Sequence, residues 1–185
     1  MGKFTEPVAS ILAEYSSRLL PLTRSEDCHR EHAQVLRQHP PGSLFPDARQ
    51  PEAALAGLML LIGCWEDSHQ LAQDISSTEG SYWHAIVHRM EPDSSNSAYW
   101  FRRTGAHPIF TELHREASEI LHRAGASGWR LKQQWDPMLF LTWCDEARQQ
   151  AGSPLERAAC EIQQAEWRLL FDWCALPANP ASRRP

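Results

Sequence analysis

The sequence has no long apolar run. Its longest, Ala53 to Trp65, is 13 residues and already contains Gly57 and Gly63, whereas a helix that crosses a bilayer needs about 20. The opening stretch, MGKFTEPVASILAEYSS, also lacks an apolar block of the length a signal peptide uses. A membrane role is therefore not expected. Charge of one sign is missing too: 18 Lys and Arg stand against 23 Asp and Glu, a formal net charge of −5. Phosphate backbones are neutralised by a basic field, so a dedicated nucleic-acid binder is not expected either. Four short motifs of common chemistries are absent: H-E-x-x-H, G-x-S-x-G, a glycine-rich phosphate loop and C-x-x-C. The five cysteines (Cys28, Cys64, Cys144, Cys160 and Cys174) are odd in number and widely spaced. Four of them lie in apolar, helical surroundings. They read as free thiols filling core space, and so as signs of a reducing, cytoplasmic setting.

What is present is helical periodicity, and no run alternates long enough to make a strand. Val8, Ile11, Leu12, Tyr15 and Leu19 recur at three- and four-residue steps after a start near Thr5. A polar helix is expected over Ser25 to Gln38, then a Pro-rich connection from His39 to Gln50. Pro51 opens a helix that is apolar on nearly every side and so belongs in the interior. A kink near Gly63 separates it from a helix over Glu66 to Ile75, and two more follow over Ser81 to Glu91 and Ser94 to Thr104. Three later starts are explicit: His107-Pro108, Asp136-Pro137 and the capping box Ser153-Pro154-Leu155-Glu156. The expected architecture is all-α: one domain over residues 1–176, built as a bundle or a stack of helical hairpins with eight or nine helices. A disordered tail is expected over 177–185. The eight Trp suit helix packing or a pocket wall. Trp129 and Trp135 read as exposed rings able to form a dimer contact.

One segment, Gly80 to Arg103, concentrates groups that do chemistry. On its first helix Trp83, Ile86, Val87 and Met90 share the face that packs inward. His84, His88 and Glu91, at steps of four and three, share a neighbouring face. Glu66 and His69, three apart on the preceding helix, offer a second pair. Neutral imidazole and carboxylate are ligands for a divalent transition metal such as zinc or iron. The candidate metal set is thus His69, His84, His88 and Glu91. Pro92 works against Glu91, because a residue before proline is biased away from helical backbone. Without a metal, the same histidines read as hydrogen-bonded residues at the edge of the core or as a metal-free polar pocket. On the second helix Asn96, Tyr99, Trp100 and Arg103 fall on one side and form a candidate grip for a small anionic or aromatic ligand. Arg89, Asp93 and Arg102 read as turn and surface ion-pair residues.

The segment resembles one shared by a largely uncharacterised bacterial and fungal family, in which it runs H-[AG]-I-x-H-R-x-E-x-D-x-x-N-x-x-Y-W-x-R-R. The matching residues are His84, Ile86, His88, Arg89, Glu91, Asp93, Asn96, Tyr99, Trp100, Arg102 and Arg103, with Asp67-Ser68-His69 upstream. The likeness covers about residues 50 to 110. It implies kinship but no chemistry, because no activity is established for that family. The hairpin also resembles a degenerate tetratricopeptide-type pair. Two functions follow as expectations. One is a helical module that binds a partner segment or a small ligand on the 81–103 hairpin. The other is a metal-dependent enzyme in which the ion polarises a substrate or activates water while Tyr99 or Asp93 handles a proton.

Overall fold

A computed structural model describes residues 4–24, 27–126 and 128–178, and the order of elements follows the start signals closely. The helices are α1 (Glu6–Tyr15), α2 (Arg30–Arg37), α3 (Pro41–Leu44), α4 (Pro51–Leu61), α5 (Trp65–Asp74), α6 (Thr78–Met90), α7 (Ser94–Thr104), α8 (Phe110–Ala124), α9 (Pro137–Arg148) and α10 (Pro154–Ala175). Among the described residues there is no strand, so the fold is all-α. The extra helix beyond the expected count is α3, one turn inside the Pro-rich connection. The expected tail, from residue 179 on, lies outside the described residues.

Local chemistry explains the boundaries. The Asp136 carboxylate accepts hydrogen bonds from the Met138 and Leu139 backbone N–H groups, which would otherwise lack partners at the start of α9. Ser153 does the same for Glu156 N–H at the start of α10, and Asp93 for Asn96 N–H at the start of α7. At the far end of α8, Gly125 takes the left-handed conformation that closes a helix.

Two apolar clusters fill the interior. One gathers α1, α2, α4, α6 and the last turns of α10; the other gathers α8, α9 and the first half of α10. The expectation of one inward face on α6 is corrected: 12 of its 13 residues are buried, so it shares the central position with α4. The two meet where α4 carries no side chain. A Cβ on Gly57 would lie 2.5 Å from the Trp83 ring, and the Trp167 indole N–H of α10 donates to the Gly57 carbonyl at 2.8 Å.

Arg89 is also corrected. It is fully buried, not at the surface, and its guanidinium pairs with Glu166 and donates to Gln163 on α10. Glu166 is as buried as Arg89 and takes a further hydrogen bond from the Tyr82 hydroxyl at 2.8 Å. Trp129 and Trp135 are buried too, which removes them as a dimer contact. Trp129 stacks flat on Trp143 and donates to Glu146.

The all-thiol reading of the cysteines fails at one pair: Cys28 and Cys64 are joined in a disulfide. With it goes the ground for inferring a reducing compartment. Their 36-residue separation hid the contact, which forms because the chain before α2 folds back on the end of α4. Gly63 makes that approach possible, since a Cβ there would sit 2.4 Å from the Asp27 carbonyl oxygen. Cys144, Cys160 and Cys174 are free thiols, and burial raises the pKa of each, that of Cys144 to about 12.

Candidate metal centre

The hairpin of α6 and α7 packs against the preceding α5. Two hydrogen bonds set their positions around the turn of α6 that carries His84 and His88. The Trp65 indole N–H of α5 donates to the Val87 carbonyl at 3.0 Å, and the buried Ser97 hydroxyl of α7 donates to the Ala85 carbonyl at 2.8 Å. His69 lies one turn beyond Trp65, whose ring stacks parallel to it at 5.0 Å. The i, i+4 spacing that puts His84 above His88 thus meets a third imidazole from α5.

The three rings form a nearly equilateral triangle. Centroids are 4.7 Å apart for His69 and His84, 5.0 Å for His69 and His88, and 4.7 Å for His84 and His88. A tetrahedral zinc with bonds of about 2.0–2.1 Å would hold three such rings with centroids about 5 Å apart and ligating nitrogens about 3.4 Å apart. The ring spacing fits, and a ligating nitrogen from each lies within 4.8 Å of the others.

Burial favours the neutral form of the two rings on α6. Burial, reinforced by His88 and His69, lowers the His84 pKa to about 4. Burial and His69 also lower His88, against an opposing pull from Glu91. Neutral imidazole is the form that ligates. His84 is only 2% exposed, yet neither of its ring nitrogens has a hydrogen-bond partner among the described residues. Polar atoms buried this deeply are usually satisfied by protein, water or an ion, and the ring groups around the two His84 nitrogens are two more imidazoles and the Trp100 indole.

The remaining candidate residues divide. Glu91 is not a corner of the triangle. Its carboxylate lies 3.3 Å from His88 Nδ1; in the tautomer with the proton on Nδ1 it accepts a hydrogen bond there, and Nε2 keeps its lone pair. Carboxylate–histidine–metal sites use that outer contact to orient the ligand. Glu66 is exposed and lines a neighbouring groove, so the expected E-x-x-H pair contributes only His69. Asn96 places its amide nitrogen 3.1 and 3.4 Å from the two ring nitrogens of His88. Two such similar distances put the amide over the ring face, not on one lone pair. Trp100 stacks on His84 at 4.1 Å. Tyr99 and Arg103 lie beyond Trp100: Tyr99 is 49% exposed, and the Arg103 guanidinium sits over the outer rings. The expected ligand grip is thus split, with Asn96 and Trp100 walling the imidazoles and Tyr99 and Arg103 facing outward. Asp93 is occupied in capping α7.

Two supporting residues escaped the sequence reading. Trp65 was legible, four residues before His69 on the same helix face. Ser97 gave no signal beyond its position opposite α6. Among known proteins, no family model matches the chain, and no curated protein or solved structure matches it either.

Proposed function

We propose that the protein is a helical metal-binding module in which His69, His84 and His88 hold one divalent transition-metal ion, zinc or iron, with Glu91 orienting His88 from outside. The observation that carries this reading is His84: a buried, neutral imidazole with two unpartnered nitrogens, facing two more imidazoles at ligand spacing. Three nitrogen ligands from the protein leave a coordination position for water or a substrate atom, the arrangement of catalytic rather than structural zinc sites. An ion held there would act as a Lewis acid or lower the pKa of bound water. At His84 competition from protons is limited, because its lowered pKa keeps a lone pair available well below neutrality.

The test is metal content. Protein purified without an affinity tag or chelator is expected to carry, or to take up on titration, about one equivalent of zinc or iron. His84→Ala should reduce this below a tenth of an equivalent while circular dichroism stays helical. If the parent chain holds less than a tenth of an equivalent and added metal restores nothing, the reading is wrong.

A further inference from the structure

A second set of metal donors lies at the N-terminus of α5, about one turn before His69. The sulfurs of Cys28 and Cys64 and a carboxylate oxygen of Asp67 all lie within 4.8 Å of one another. We propose that the Cys28–Cys64 pair is a redox-switched metal site: closed as a disulfide, and binding a thiophilic divalent ion such as zinc through Cys28, Cys64 and Asp67 once reduced.

Access comes first. Cys28 is half-buried and, with Cys64, lines a groove of about 500 Å³ that also takes in Thr23, Arg24, Trp65 and Asp67. An external dithiol entering there attacks one sulfur and releases the other; a second attack frees the remaining cysteine. Two electrons pass to the pair, and the reductant leaves as its own disulfide. Binding a divalent ion then releases the two thiol protons to water and leaves two thiolates on the metal.

The backbone around the pair is held by contacts other than the S–S bond. The His29 N–H donates to the Ile62 carbonyl at 3.1 Å, and Gly63 packs against the Asp27 carbonyl. Reduction therefore leaves both thiols at the same corner. Zinc–sulfur bonds of about 2.3 Å at a tetrahedral angle would set the sulfurs about 3.8 Å apart, within reach of side-chain rotation alone. Cys64 is the N-cap residue of α5, where unpaired backbone N–H groups favour a thiolate. Asp67, three residues later in the same first turn, is held by Arg37 through a bidentate pair. Arg37 is more than half exposed, so its release costs little. A water from the groove would complete four ligands.

The switch is independent of the histidine triangle, and the experiment separates them. Cobalt(II) is titrated into the oxidised parent, the anaerobically reduced parent, reduced Cys28→Ser/Cys64→Ser and reduced Asp67→Ala. The reduced parent is expected to take up one equivalent more than the oxidised form, with thiolate-to-cobalt charge-transfer absorption in the near ultraviolet. The double serine variant should lose both the extra equivalent and the absorption, and Asp67→Ala should bind the extra ion at least tenfold more weakly. The same increment is expected in a His84→Ala background, where the histidine site is disabled. Equal uptake in the two redox states, no thiolate absorption in the folded reduced protein, or unfolding on reduction would each overturn the proposal.

Discussion

Single residues show how strongly burial changes the meaning of a side chain here. Glu79 is 8% exposed at the start of α6. Its carboxyl pKa is held down to about 2 from an ordinary 4.5. The His107 imidazole is the largest cause, opposed by burial and helped by the Trp173 indole N–H, which donates to it at 2.9 Å. At 3.8 Å from Glu79 Oε1, His107 acts through its charge distribution more than through a formed hydrogen bond. A carboxylate with a depressed folded pKa adds stability that is fully present above the unfolded pKa and is lost as pH falls through the folded one. The window is therefore about pH 4.5 down to about 2. Glu79→Gln should cost on the order of 2–3 kcal/mol at pH 7. The gap between parent and variant, followed by denaturant unfolding across that window, should shrink towards zero. A gap that stays constant with pH would show that the carboxylate's charge contributes nothing.

Among the elements, α6 does two jobs at once. Its upper side, through His84 and His88, faces α5 and α7; its end, through Arg89, is fastened to α10. The Arg89–Glu166 pair is fully buried, and each charge depends on the other for compensation. Breaking such a pair from one side leaves an unpaired buried charge, at a cost of about 3–5 kcal/mol, whereas replacing both sides with apolar residues costs much less. Arg89→Met is thus expected to be strongly destabilising by urea unfolding, and Arg89→Met/Glu166→Leu less so than Arg89→Met alone. A double variant no better than the single one would mean that Gln163 and Tyr82, the other partners in the network, dominate its energy. In sequence Arg89 reads as a turn and surface ion-pair residue, and it does lie off the Trp83–Met90 stripe. A helix packed on every side has no outside, and only the presence of α10 makes that so.

At the scale of the whole molecule, the Cys28–Cys64 bond ties the segment before α2 to the α4–α5 corner and closes a loop 36 residues long. A cross-link of that span restricts the unfolded chain by about 3–4 kcal/mol. Cys28→Ser/Cys64→Ser should lower unfolding stability by that amount without changing helix content, as read from urea titration and circular dichroism. No loss would show that the contacts around Gly63 already hold the corner.

Much of this was legible beforehand. The helix starts at Pro51, Asp136 and Ser153, the buried character of α4, and the shared face of His84 and His88 follow from local rules: capping groups satisfy neighbouring N–H donors, and a 3.6-residue turn stacks positions three and four apart. Those rules operate within a single element. The meeting of His69 with His84 and His88, the burial of Arg89 against Glu166, and the joining of Cys28 to Cys64 each pair residues from different elements. Their existence depends on which helix lies beside which, a choice made by packing Gly57 against Trp83 and wedging α6 between its neighbours. Sequence therefore determined the pieces and the faces they carry. Tertiary structure alone decided which faces meet, because burial and close approach are properties of the assembled core and not of any stretch of chain.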